Sequence, residues 1–156
     1  MRYETVETYV AAYVEVEVTT ATGEVWVRRV VVAHDCGLII NPDGLRNQIE
    51  GNVIQGISRT LIEEVEFNLT GVTSLVWLTY PVVHFNQVPS SIEIVLLDHP
   101  EQLTQSPDTP AWGAGEPTIG AIPPAIANAI FYAIGKRLTV LPITKQRVLN
   151  ALTQPP

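Results

Sequence analysis

Between Tyr9 and Thr20 branched apolar and polar residues alternate (YVAAYVEVEVTT), and after Ala-Thr-Gly at 21–23 a second β-rich run follows, EVWVRRVVVAHD. Two such runs around a short glycine-containing turn predict a hairpin. The second run turns continuously apolar at residues 30–33, as expected of a strand buried on both faces, and ends at His34-Asp35-Cys36-Gly37.

The period then changes. In NPDGLRNQIEGNVIQGISRTLIEEVEF, apolar residues recur every four positions at Leu45, Ile49, Val53, Ile57, Leu61 and Val65, with Ile54 and Ile62 beside them. This predicts an amphipathic helix of about six turns. Asn41 suits its cap, Pro42 its first position and Asp43 its positive N-terminal end. Gly51 and Gly56 fall inside it, each costing roughly 1 kcal/mol against alanine. Either a neighbouring element packs closely there or something bulky lies against the backbone. Gln48, Asn52, Gln55 and Arg59 form a polar stripe beside the apolar one, which by itself reads as a solvated face.

Beyond the helix, TSLVWLTYPVVHF and SIEIVLLDHP predict two more strands. A loop rich in Pro, Thr, Ser and Gly spans residues 100–117, long enough to suggest a function. PPAIANAIFYAIGKR predicts a second helix with Pro123 or Pro124 at its start and Gly135 at its end. LTVLPIT reads as a short strand and turn, and TKQRVLNAL as a closing helix capped by Thr144. Residues 1–156 show no repeat and no linker, so they predict a single domain. The order of elements predicts an α+β fold, a mixed or antiparallel sheet packed against two main helices.

Composition narrows the classes of function. The chain is 46% apolar and only 16% charged, so it has a core, and some of its surface is expected to be covered by other polypeptide or by self-association. A formal charge of −7 with nine scattered Lys and Arg argues against a nucleic-acid phosphate binder. The pattern shows no apolar run near the length of a membrane span. MRYETVETYV lacks the apolar core of a signal peptide, so nothing in these residues directs export, and the sequence leaves the compartment, cytoplasm or periplasm, open. A lone cysteine, Cys36, excludes an internal disulfide and an iron–sulfur cluster held by this chain alone.

Candidate chemistry is sparse. His34, Asp35 and Cys36 are adjacent, so on a strand they point to alternate faces and cannot converge on one ion; no protein-ligated metal is expected. Cys36 reads as a small buried residue. No Gly-x-Ser-x-Gly elbow occurs, and GAGEPTIG lacks the Lys-Ser/Thr of a phosphate loop. Glu116 remains, in WGAGEP. Most loop glutamates are plain exposed turn carboxylates, whereas a loop folded inward would suit this one to general-base work. Residue chemistry leaves both readings open.

The two motif blocks resemble those of a known family. VVVAHDCGLIINPDGLRNQIEGNVIQGIS resembles the segment of molybdenum hydroxylase large subunits that reads Asp-x-Gly-x-x-x-Asn-Pro and then Gln-x-Glu-Gly-x-x-x-Gln-Gly. GAGEP, the Ala-rich helix and LPIT resemble that family's C-terminal signature. The family includes xanthine dehydrogenase, aldehyde oxidase and the isoquinoline 1-oxidoreductase type, and LTYPVVHFNQVPSSIEIVLLD is most similar to the last. Trp112 and Thr79 depart from the pattern, one bulkier and the other less acidic than the family's residues.

The resemblance implies that residues 1–156 are the C-terminal portion of a larger molybdopterin-binding subunit. It makes Glu116 the catalytic base beside molybdenum and has Gln48 hydrogen-bond the cofactor, with Gly51, Gly56 and Gly115 next to it. The cofactor would be molybdopterin, plain or in its cytosine dinucleotide form, shared with the upstream portion of the subunit and with no side chain on the metal. The implied activity is oxidative hydroxylation of aldehydes or N-heterocycles using water, with electrons leaving through a small iron–sulfur subunit. The isolated chain would be inactive and free of cofactor. The competing reading is a non-catalytic, stand-alone domain of the same fold acting as a protein-interaction module.

Overall fold

The hairpin forms as its alternation requires. In the computed structural model, which describes residues 8–98 and 111–153, β1 (Tyr9–Thr19) and β2 (Glu24–Asp35) pair antiparallel, Val14 opposite Val30 and Tyr9 opposite Asp35. A bulge between Glu15 and Val16 shifts the register. After β2 come α1 (Pro42–Leu61), a minimal ribbon of β3 (Phe67–Asn68) and β4 (Gly71–Val72), and a 3-10 turn at Phe85–Gln87. Then follow β5 (Ser91–Leu96), α2 (Pro117–Ile134) and α3 (Lys145–Thr153). The sheet order is β1-β2-β5, with β5 parallel to β2. A parallel neighbour needs a crossover, and α1 lies on it. The result is a mixed sheet under two main helices, the expected α+β arrangement.

The core lies between one face of this sheet and the helices. Val14, Val27, Val30 and Val32 point inward and meet Ile49, Val53 and Ile57 of α1 and Ile122, Ile126 and Ile130 of α2. Among the described residues that face alone is fully covered, against the burial on both faces expected for residues 30–33: along β2, Val30 and Val32 are buried while Val31 and Ala33 are half-buried. At one end of the outer face Arg29 bridges Glu15 (2.9 Å) and Glu93 (2.6 Å) across all three strands. The other end shows Tyr9, Tyr13 and Val95 to solvent.

Several expectations change. TSLVWLTYPVVHF makes no strand. β5 occupies the free edge of β2, and residues 73–85 pair with no described strand, so their β propensity is not expressed. Instead the N–H groups of Thr79 and Tyr80 both bond to the Val76 carbonyl and close a turn before Pro81. The first helix ends at Leu61, so Val65 is exposed beyond it. LTVLPIT contains no strand: Leu141–Pro142 is cis, and Ile143 is buried with its N–H on the Thr60 carbonyl. The second helix starts at Pro117, which takes the favourable first position itself, and Pro123 and Pro124 lie inside it. This longer helix of 18 residues is also long and apolar enough to cross a membrane, unlike any run expected from the sequence; its Ile122, Ile126 and Ile130 are buried in the core. Of the loop assigned to residues 100–117, residues 100–110 lie outside the described residues.

Caps follow the sequence. The Asn41 side chain accepts the Gly44 N–H at 3.0 Å, and Gly135, at φ +68°, closes α2 in the left-handed conformation. Thr144 precedes α3 and its hydroxyl accepts from the Arg147 N–H.

His34 is fully buried on β2, and among the described residues neither ring nitrogen has a hydrogen-bond partner. Burial holds its pKa below the ordinary histidine value, with the neighbouring Asp35 carboxylate opposing the shift. The unfolded chain therefore binds a proton near pH 6.5 that the folded chain refuses. Stability is full above that pH and falls as pH drops toward the folded value, by at most about 1.4 kcal/mol per pH unit. Urea denaturation between pH 7.5 and 5 should show this slope, and His34→Leu should flatten it.

Candidate functional site

The turn after β2 and the loop before α2 are stitched together. Gly37, at φ +73°, occupies a left-handed turn that a side chain would strain, and its N–H bonds to Asp35 Oδ1 at 3.1 Å. Beyond it the Trp112 N–H donates to the Cys36 carbonyl at 2.9 Å, and Gly37 and Ala111 form a single antiparallel bridge. Cys36 is buried and its thiol pKa is pushed up, chiefly by burial and secondarily by Asp35 and Asp98, so it stays a neutral packing residue.

Two amides of α1 then seize the next part of the loop. Gln48 Nε2 donates to the Gly115 carbonyl at 2.9 Å and Asn52 Nδ2 donates to the same oxygen at 2.8 Å. Glu116 follows as the cap residue of α2, but its carboxylate makes no capping hydrogen bond. It is exposed, so the inward fold that would bury it does not occur within the described residues.

Between α1 and this loop lies an open cleft of about 750 Å³. Asn47, Gln48, Gly51, Asn52, Gln55 and Arg59 line one side, all from α1; Gly115, Glu116, Ile119 and Gly120 line the other. The polar stripe is therefore one wall of a cleft rather than a plain solvated face. Four of the five expected site residues, Gln48, Gly51, Gly115 and Glu116, meet here.

The fifth, Gly56, is placed elsewhere. It is buried against α2, where an added Cβ would come within 2.8 Å of Ile122 Cβ, so its lack of a side chain serves helix packing rather than a ligand. The three glycines of the cleft behave oppositely. At Gly51, Gly115 and Gly120 an added Cβ would meet nothing within 4 Å, and none of the three has a positive φ. Neither packing within the described residues nor backbone conformation requires glycine there. Pro123 and Pro124, having no N–H, also deprive the carbonyls of Ile119 and Gly120 of their usual helical donors.

Six residues of the cleft, Asn47, Asn52, Gln55, Arg59, Ile119 and Gly120, carry no site assignment from the sequence. For Asn52 the signal is its spacing of four to Gln48, which puts both amides on one face. Gly120 is hidden as long as α2 is taken to begin at Pro123 or Pro124.

An open, glycine-lined cleft with convergent amides, one arginine and one carboxylate between α1 and the start of α2 has the form of a ligand-binding site. The chain belongs to the molybdopterin cofactor-binding domain family, whose model matches residues 2–89. It is 45% identical over 143 residues to a nicotinate dehydrogenase chain of Pseudomonas putida, an alignment covering 91% of this chain and 11% of that protein. It is 34% identical over 147 residues to the aldehyde oxidoreductase molybdenum-binding subunit PaoC of Escherichia coli, covering 93% and 20%. The solved aldehyde oxidoreductase from Desulfovibrio gigas matches the fold with a TM-score of 0.81 at 31% identity, covering 94% of this chain and 16% of that one. The chain thus spans about a tenth to a fifth of the length of these relatives.

Proposed function

We propose that this chain is the part of a molybdenum-dependent oxidoreductase that walls one side of the molybdopterin site and supplies its general base. The enzyme would hydroxylate aldehydes or N-heterocycles with oxygen from water. The observation that carries this reading is the glycine set: Gly51, Gly115 and Gly120 have no reason within the described residues to lack side chains, and all three face the cleft that holds Glu116. Gly51 and Gly120 each weaken a helix by roughly 1 kcal/mol, which close approach of a bulky group to the backbone would explain.

The donors and acceptors of the cleft fit such a group. The exposed Gln48 amide offers a hydrogen bond from α1, and the carbonyls of Ile119 and Gly120 are acceptors without an α-helical donor. When bound, the cofactor supplies the two-electron oxidation and the site at which water-derived oxygen is delivered. Glu116, with no capping bond to hold its carboxylate, would accept the proton released from that water at a carboxylate oxygen. Arg59, across the same cleft, provides positive charge for an anionic ligand.

Exposed apolar side chains support the reading that further polypeptide covers this region. Leu69, Trp77, Leu78 and Phe85 between α1 and β5 are almost fully exposed, and Tyr9, Tyr13 and Val95 at the apolar end of the outer sheet face are half exposed or more. The partners in this reading are the remainder of the large subunit and a small iron–sulfur subunit, since one cysteine cannot hold a cluster. A protein-interaction module would account for the apolar surface but not for the glycines of the cleft.

The test is coexpression with the polypeptide that supplies the rest of the large subunit. The assembly should contain one molybdenum per chain and transfer oxygen-18 from labelled water into its product. The 156-residue chain alone should self-associate and carry no stoichiometric metal. One molybdenum per isolated chain, or product oxygen drawn from dioxygen, would overturn the proposal.

A further inference from the structure

We propose that Asn52 is a positioning residue that clamps the Gly115–Glu116 peptide to α1, and that it does so independently of Gln48. The inference rests on the reading of Glu116 as a base.

The carbonyl of Gly115 lies just outside α2 and has no donor within that helix. Two side-chain amides fill its two lone pairs, Gln48 Nε2 at 2.9 Å and Asn52 Nδ2 at 2.8 Å. These two donors are not equivalent. Asn52 is only 6% exposed, and its amide also donates to the Gln48 backbone carbonyl at 2.8 Å. Both of its N–H groups are thereby committed, one to its own helix and one to the loop, which fixes the side chain. Gln48 is exposed and makes one such bond, so its amide is free to turn toward a ligand. When it turns, Asn52 still holds the peptide. With Cys36 gripping the loop at Trp112, the chain leading to Glu116 is pinned at both ends of a short span, and the carboxylate starts from a fixed place. A base displaced by about 1 Å loses on the order of 100-fold in rate, so the clamp acts on turnover rather than on binding.

The experiment uses the assembled enzyme with Asn52→Ala, the near-isosteric Asn52→Asp, Gln48→Ala, Glu116→Gln and the Asn52→Ala/Glu116→Gln double variant. Asn52→Ala and Asn52→Asp, both lacking the donor, should lower kcat by at least about 30-fold, with KM and molybdenum content within about twofold of wild type. Hydrogen exchange over residues 112–119 should quicken at least about tenfold in Asn52→Ala and less than about threefold in Gln48→Ala. The double variant should be no slower than Glu116→Gln alone, because the clamp works through Glu116; a general structural role would make the losses multiply. Wild-type exchange in Asn52→Ala, or multiplying losses, overturns the clamp, and Asn52→Asp decides if the alanine variant does not assemble. If Glu116→Gln keeps full turnover, the base reading fails while the exchange data still judge the clamp.

Discussion

Glu116→Gln in the assembled enzyme should lower turnover by at least about 100-fold and leave molybdenum in place. General-base assistance is worth roughly 100- to 10,000-fold, and glutamine keeps the shape while removing the proton acceptor. Three features make the substitution clean. Glu116 makes no side-chain cap for α2, so the helix should not feel its loss. Its position is set by the Gly115 carbonyl and by Pro117, neither of which changes. Its carboxylate is exposed, so no buried partner is orphaned. The loss should appear in kcat, with cofactor content as the control. Wild-type rates in the variant would remove Glu116 from the chemistry.

Much of this site is legible in the sequence, and what is not has a physical cause. The four-residue period from Leu45 to Leu61 places α1, and the Asn41 and Pro42 start signals place its first turn correctly. With that helix in hand, Gln48 and Gly51 fall on one side of it. Glu116 stands out only through the resemblance, since an exposed glutamate in a loop has no local mark. The two helix glycines look alike in sequence and separate only in three dimensions: Gly56 meets Ile122 across the helix interface, while Gly51 opens onto the cleft. The start of α2 is hard to place because prolines usually mark the first turn, and Pro117 provides that mark well before Pro123 does. Residues 73–85 mislead for a different reason. Their β-branched and aromatic content measures fitness for a paired, half-buried surface, and no described strand is there to pair with.

The contrast between the glycines yields the second large effect. Gly56→Ala should destabilise the chain by about 1–3 kcal/mol, because the new methyl meets Ile122 at 2.8–2.9 Å where two helices are tightly packed. Gly51→Leu and Gly120→Leu should do the reverse to stability. Their side chains enter open space within helices, where leucine is better than glycine by up to about 1 kcal/mol, so the thermal midpoint should hold or rise. What they should destroy is the close approach of a ligand to the backbone. A protein made more stable and unable to load its cofactor would show that these glycines are kept for the cofactor and not for the fold.

Molybdenum content of the assembled Gly51→Leu/Gly120→Leu double variant therefore tests the central claim most directly. A cleft that holds the molybdopterin predicts less than about a tenth of the wild-type metal in a protein of undiminished thermal midpoint. A full complement of molybdenum in that variant would contradict it.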